Sequence, residues 1–270
     1  MDRKDPNTLL AYQRAEHERA EKLGRIASWV DYPIMIVAVA DVLFSSHSIS
    51  IAIVGLLLGI GRYLSIFSSG QSQAVAERAR RSVVLQNGLG IELSGKAFTD
   101  LYSAFSASEE SASKHFDPDY YDSQQERGPT RLAELLEESV FWSKNLCKTA
   151  SFWAGVKFFL ALLILIVSLL LVASEGGETA RVLAPQVFCI VIATLVTGGL
   201  FARAVVFGLT ATQLDDIEGR VPSGSDSLEA ILPVFEDYNA VIQAAPVIPS
   251  KFYRMKRDTL NELWRDRKGR

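Results

Sequence analysis

The chain has 270 residues, of which 49% are hydrophobic and 22% charged, and its formal net charge is −3. That balance excludes nucleic-acid binding by bulk electrostatics, although local basic patches stay open. With a mean hydropathy of +0.16, the composition suits several membrane spans joined to a polar cytoplasmic part.

Residues 1–28 are read as a cytoplasmic N-terminal helix. Arg14/Glu18, Glu18/Lys22 and Glu21/Arg25 fall at i,i+4 spacing, which predicts a helix over 8–28 that is solvated or lies between subunits. These mostly polar residues precede the first apolar run, so no cleavable signal peptide is expected. Asp31-Tyr32-Pro33 is expected to interrupt the helix and form a hinge. Segment one would then restart at Pro33, with Trp29 and Tyr32 at the membrane interface.

Apolar segments follow near 30–46, 49–67, 152–173 and 184–207. The third holds one charge, Lys157, and is long enough at ~1.5 Å per residue to cross a ~30 Å hydrocarbon core. The first two are shorter, but the tight SSHSIS connection between them makes them a helical hairpin, placed at 29–67. The second hairpin is placed at 151–207.

Between the hairpins, 68–150 is read as a cytoplasmic helical region. It begins as a continuation of segment two, breaks at Asn87-Gly88 and Gly90, and resumes as an amphipathic stretch around Phe98, Leu101, Tyr102 and Phe105. Residues 106–130 are loop-like. From Thr130 one long helix is expected to run from the cytoplasm into segment three. The C-terminal region, 208–270, is predicted to hold a helix capped by Asp226 or Ser227 that runs to about Ala244 despite Pro233, then a last helix capped by Ser250.

Lys and Arg are dense before segment one, between segments two and three, and after segment four, while the first hairpin turn has none and the second connection has Arg181 alone. The asymmetry puts both termini and the middle region in the cytoplasm. Cys147 and Cys189 would then lie on opposite sides of the bilayer and could not pair. The fold expected is an all-α integral membrane protein with four transmembrane helices in two hairpins and a helical cytoplasmic domain built from the middle loop and the C-terminal tail.

Polar residues within the spans are costly, at about 2.5–3.5 kcal/mol for a charge at the bilayer centre, and therefore informative. Asp31 and Arg62 lie towards the cytoplasmic side and could pair, while Lys157 and Arg203 can snorkel to the inner surface. Asp41, near Ser45 and His47, either faces a water-filled pathway or sits at an interface near a helix end. Gly55-x-x-x-Gly59, followed by Gly61, lets another helix approach closely, within the subunit or across an interface. Gly198-Gly199 marks a second close crossing or a kink.

His17, His47 and His115 lie in three separate regions, and no metal-ligand spacing, phosphate loop, dinucleotide fingerprint or serine elbow is present. Neither an enzyme nor a metal or other cofactor is expected. The cytoplasmic part does carry Arg78, Arg80 and Arg81, then Tyr120 and Tyr121, then Arg127 and Arg131 about Gly128-Pro129. Such a set can hold phosphates and stack on bases, or can be positive-inside charge bridged to nearby glutamates. Lys251, Arg254, Lys256 and Arg257 carry the same two readings, with anionic lipid headgroups as a third.

Several stretches together resemble the bacterial SMODS-associated pore-forming effectors with four transmembrane helices. They are Gln13-Arg14 in the charged first helix, Tyr120-Tyr121, Gly128-Pro129, Arg131-Leu132, Glu138-Ser139-x-Phe141-Trp142-Ser143 and the tail APVIPSKFYRMKR. The resemblance covers nearly the whole chain in order and spacing, and is weakest over 86–119. It implies an antiphage effector that permeabilises the bacterial inner membrane, partnered by a nucleotidyltransferase that makes a cyclic or linear nucleotide signal. Tyr120, Tyr121 and the arginines then become nucleotide-site candidates, and self-association, for instance as a tetramer, is expected because four spans enclose no sizeable aqueous path. The alternative is a non-conducting membrane scaffold that recruits a cytoplasmic partner.

Overall fold

The computed structural model describes residues 5–43, 48–117, 123, 125–175, 177, 184–189, 191–192, 199–222 and 227–269. Among them the chain is all-helical, without a strand. The main helices are α1 (Pro6–Leu43), α2 (Ser48–Leu89), α3 (Gly95–Ala104), α4 (Glu109–Ser113), α5 (Pro129–Glu175), α6 (Leu200–Arg220), α7 (Leu228–Ala244) and α8 (Ser250–Lys268). Two compact units divide the chain: residues 1–21, 69–149 and 207–270 form one, and 22–68 with 150–206 the other.

Local chemistry explains where the helices begin and end. Asp5 accepts from the backbone N–H of Asn7 at 2.9 Å while Pro6 opens α1, which is the cap and first-turn proline arrangement. At the other end of α2, Gly90 takes φ +72°, a left-handed position that suits glycine, and its N–H bonds the Gln86 carbonyl at 3.0 Å. Ser94 and Ser108 cap α3 and α4 through their side chains.

Two expectations are corrected. Asp31-Tyr32-Pro33 does not interrupt α1, which continues through Pro33 to Leu43. One proline removes a single helical donor, and here Asp31 is tied to Arg62 of α2 at 2.5 Å, so the segment is held across the proline. The expected hinge therefore falls inside a continuous helix. Ser250 is not the cap of α8 but its first residue: Pro249 occupies the cap position without a side-chain bond, and the Ser250 N–H is taken by Glu21. Ser227 holds the cap position of α7 but makes no side-chain cap bond, and Asp226 lies outside the described residues.

The long helices follow the sequence pattern. Helix α5 has 47 residues, or ~70 Å at ~1.5 Å per residue, more than twice a ~30 Å hydrocarbon core. Helix α2 has 42. Each begins or ends in the polar unit and continues into the apolar one, with the divisions at 68/69 and 149/150.

The first unit has a conventional core. Leu9, Leu10, Ala79, Val83 and Leu101 cluster with Val75, Leu93 and Phe105, while Tyr12 and Ala15 pack on Ala112 and Tyr102. Leu132, Leu135, Leu136, Val140, Leu214, Ile217, Ile231 and Phe235 are also buried. Each such side chain contributes ~1.5–3 kcal/mol on burial. At Gly88 a Cβ would lie 3.1 Å from the Leu132 backbone and side chain, so α2 and α5 approach more closely than a larger residue allows.

The second unit is the reverse. The most apolar windows of α2 and α5 are 0% and 11% buried, and both helices have the length and composition to cross a membrane. Leu56, Leu57, Tyr63, Leu64, Phe159, Leu163 and Ile164 lie on the surface of these helices. Water is a poor solvent for apolar area on this scale, whereas hydrocarbon is a matching one. Segment four is described only at 184–189, 191–192 and from Gly199, which takes a φ of +97° immediately before α6.

Candidate functional site

The basic residues singled out in the sequence divide into engaged and available groups. Arg78, Arg80 and Arg81 share the second, polar half of α2 but point differently, because successive helix positions are rotated by about 100°. Arg80 turns inward. Its Nε pairs with Glu77 at 2.6 Å, its Nη2 donates to the Asn239 side-chain oxygen at 2.9 Å, and its guanidinium lies 4.7 Å over the Tyr238 ring. Tyr238 is fully enclosed, and burial pushes its hydroxyl pKa up. That hydroxyl in turn meets the Ser143 hydroxyl at 3.0 Å and donates to the Ser139 carbonyl at 3.3 Å.

Arg81 reaches Glu236 at 4.0 Å, a loose contact, and its buried Nε has no hydrogen-bond partner. Arg78 is exposed, and its guanidinium has no partner among the described residues. Arg127 is exposed and lies beside the end of α2, where a Cβ at Gly90 would meet its Cδ at 3.3 Å. A guanidinium there complements the negative end of the helix. Gly128 N–H bonds the Gly88 carbonyl at 2.8 Å, and Arg131 donates to the Gln125 carbonyl, so this turn is built on local contacts. Tyr120 and Tyr121 lie outside the described residues.

Within the apolar unit, Asp31 and Arg62 do pair, through Oδ1 and Nε at 2.5 Å. The sequence raised that pairing from depth alone. Gly55 faces α1, where a Cβ would touch Val37 at 3.4 Å, whereas one at Gly59 or Gly61 would meet nothing within 4 Å. The motif is thus half occupied inside the chain. Asp41 belongs to α1, but its side chain, with Ser45 and His47, lies outside the described residues.

Several residues with defined work were not singled out in the sequence. Glu16, 1% exposed, accepts the backbone N–H groups of Ser106 and Ala107 at 3.0 and 2.8 Å. Glu21 accepts the Ser250 N–H at 2.9 Å, placing a carboxylate at the positive end of α8. Gln73 donates to the Ala245 carbonyl at 2.6 Å. Glu18 meets His115 at 3.0 Å. In sequence these residues read as an exposed charged face, since i,i+4 pairing does not reveal which side of a helix is covered.

A second network ties α5, α6 and α8. Lys144 contacts Glu218 and also Asp215 at 2.9 Å, and Arg267 bridges Glu137 at 2.8 Å and Glu218 at 2.5 Å. Desolvation works against the Lys144 ammonium, but its bonds to Glu218 and Asp215 prevail and hold its pKa above the ordinary value. The same contacts hold Asp215 below the usual carboxylate range. Cys147 is buried, which pushes its thiol up to about 12. Among the described residues no group of His, Cys, Asp and Glu could hold a metal ion. No family model, curated protein or solved structure matches the chain.

Proposed function

We propose that the chain is a multi-pass effector of the bacterial inner membrane, with cytoplasmic termini, that self-assembles into an ion-conducting pore gated by a nucleotide signal. A nucleotidyltransferase supplies that signal, and antiphage defence is the role. The observation that carries the membrane part is the 0% and 11% burial of the apolar windows of two continuous helices that begin or end in a polar, well-packed unit. Two further spans come from segments one and four. The nucleotide and defence parts rest on the resemblance of the motif series and on basic residues available for phosphates.

Within that reading Arg78 and Arg81 are the first phosphate contacts, with Arg127 a third: Arg78 and Arg127 are exposed, and Arg81, though its Nε is buried, keeps a part-exposed side chain one helical turn from Arg78. Arg80 supports them from behind, through Asn239 and Tyr238. Charge reversal at Arg78 and Arg81 should abolish nucleotide binding while size-exclusion behaviour in detergent stays that of the parent. Arg80→Glu should instead destabilise the chain, since it sets a carboxylate against Glu77 and removes the Asn239 bond, which contributes ~1.5–3 kcal/mol as a charged hydrogen bond. Calorimetric titration with cyclic and linear nucleotides separates the two effects. Undiminished binding by the Arg78→Glu/Arg81→Glu chain removes this site from the account.

A further inference from the structure

We infer that Asp31, Arg62 and Arg203 form a docking site for the phosphate of an anionic phospholipid. The inference rests on the membrane-spanning reading and on neither conduction nor a nucleotide.

All three residues belong to the unit formed by 22–68 and 150–206. Asp31 is the one carboxylate among the side chains described there, whereas Lys22, Arg25, Arg62, Lys157 and Arg203 are basic. Arg62 commits its Nε to Asp31 Oδ1 at 2.5 Å and makes no other side-chain bond among the described residues. The Arg203 side chain makes neither a hydrogen bond nor an ion pair among the described residues, yet it is within electrostatic reach of both, drawn to Asp31 and repelled by Arg62. Its guanidinium folds back along α6, where Gly199 leaves room: a Cβ there would stand 3.7 Å from Arg203 Nε. Two positive charges thus meet one negative, and one positive charge is left over. The side chains of Arg62 and Asp31 are 28% and 18% exposed and Arg203 is partly exposed, so a group at the surface of this unit can reach them.

Level within the same unit adds the second argument. Asp31 stands between Trp29 and Tyr32 on α1, and Arg62 is next to Tyr63 on α2. All three aromatic side chains are exposed, and the rings of Trp29 and Tyr32 lie 5.7 Å apart. Tryptophan and tyrosine at the end of an apolar stretch mark the headgroup level, so the charge cluster sits where lipid phosphates are. A surplus cation beside hydrocarbon is costly without a counter-ion. A phosphodiester supplies one negative charge, and the planar guanidinium fork holds its oxygens bidentately. A zwitterionic lipid brings its own ammonium group, which the arginines repel, so the surplus charge favours an anionic headgroup.

The test uses the full chain, extracted from membranes in a neutral detergent and mixed with equal amounts of phosphatidylglycerol and phosphatidylcholine of the same acyl chains. Native mass spectrometry reads the ratio of the two lipid adducts. The parent should favour phosphatidylglycerol. Arg203→Gln should lower the ratio roughly fivefold, and Asp31→Asn, which removes the competing carboxylate, should raise it. Arg203→Lys should keep most of the preference, and Lys96→Gln, in the polar unit, should leave it unchanged. A variant that merely loosens the fold loses both adducts together, so opposite shifts of the ratio report charge. Excess inorganic phosphate should leave the phosphatidylglycerol adduct in place; its displacement would show that a free oxyanion fills the site and would overturn the lipid assignment. Equal adducts in the parent, or a ratio that survives Arg203→Gln, also overturn the inference. A chain that stays in the supernatant when membranes are sedimented overturns the membrane reading instead, which separates the two failures.

Discussion

Glu16 and Glu21 sit on the same helix and do the same job at different loops. Each presents a carboxylate to backbone N–H groups that have no helical partner, Glu16 to Ser106 and Ala107 and Glu21 to Ser250. Replacing either by alanine leaves donors without an acceptor, at ~1–3 kcal/mol. Cys147 provides a sharper residue-scale prediction. Its thiol is held neutral up to about 12, against an ordinary 9.0, so the stability it contributes is complete below pH 9.0 and is lost as pH rises towards about 12. Lys144, raised above 10.5, adds a loss of the same sign above that pH. Maleimide at neutral pH should therefore leave Cys147 unmodified in the folded chain and label it after denaturation. Rapid labelling of the native protein at Cys147, located by mass spectrometry, contradicts its burial.

Helix-scale packing yields two contrasts. Gly88→Ala gains helix propensity worth ~1 kcal/mol, but its Cβ would stand 3.1 Å from the Leu132 backbone, and overpacking costs ~1–3 kcal/mol. A lowered melting temperature is expected there, whereas Gly59→Ala, with nothing within 4 Å, should leave the isolated subunit as stable or more so. In the hairpin, Asp31→Asn should weaken α1–α2 packing through the loss of the Arg62 partner, and the exchange Asp31→Arg/Arg62→Asp should recover much of it. Melting of the parent, Asp31→Arg, Arg62→Asp and the exchange in detergent closes the cycle and gives the coupling directly. An exchange that behaves no better than Asp31→Asn would show that the pair contributes nothing specific. Much of this level was legible in the sequence: α2 and α5 were expected as long continuous helices because no breaker interrupts them, and Asp31 with Arg62 because their depths match. Pro33 misled because its penalty was read without the ion pair beside it. The caps supplied by Glu16 and Glu21 were not legible, since their partners lie 90 or more residues away in sequence. Arg80 was grouped with its neighbours because composition does not tell which arginine of a cluster faces Asn239 and Tyr238.

At the scale of the molecule, one sequence makes two units with opposite relations to solvent. Residues 1–21, 69–149 and 207–270 bury Leu10, Leu135 and Leu214 and bridge Lys144 and Arg267 to Glu218, while 22–68 and 150–206 leave Leu57, Phe159 and Ile164 outward. Helices α1, α2 and α5 each supply a segment to both, and an uninterrupted helix transmits tilt or rotation along its length. In the gated pore proposed above, a nucleotide held near Arg78 and Arg81 acts on α2, and the same helix carries that change into the bilayer. A non-conducting scaffold would use the same helices to hold a partner and would remain electrically silent. The most direct measurement is therefore ionic current across vesicles or planar bilayers containing the purified full chain, with and without a panel of cyclic and linear nucleotides. The account predicts a conductance that changes with at least one nucleotide and loses that response in Arg78→Glu/Arg81→Glu. Inserted protein that passes no current under any of these conditions contradicts it.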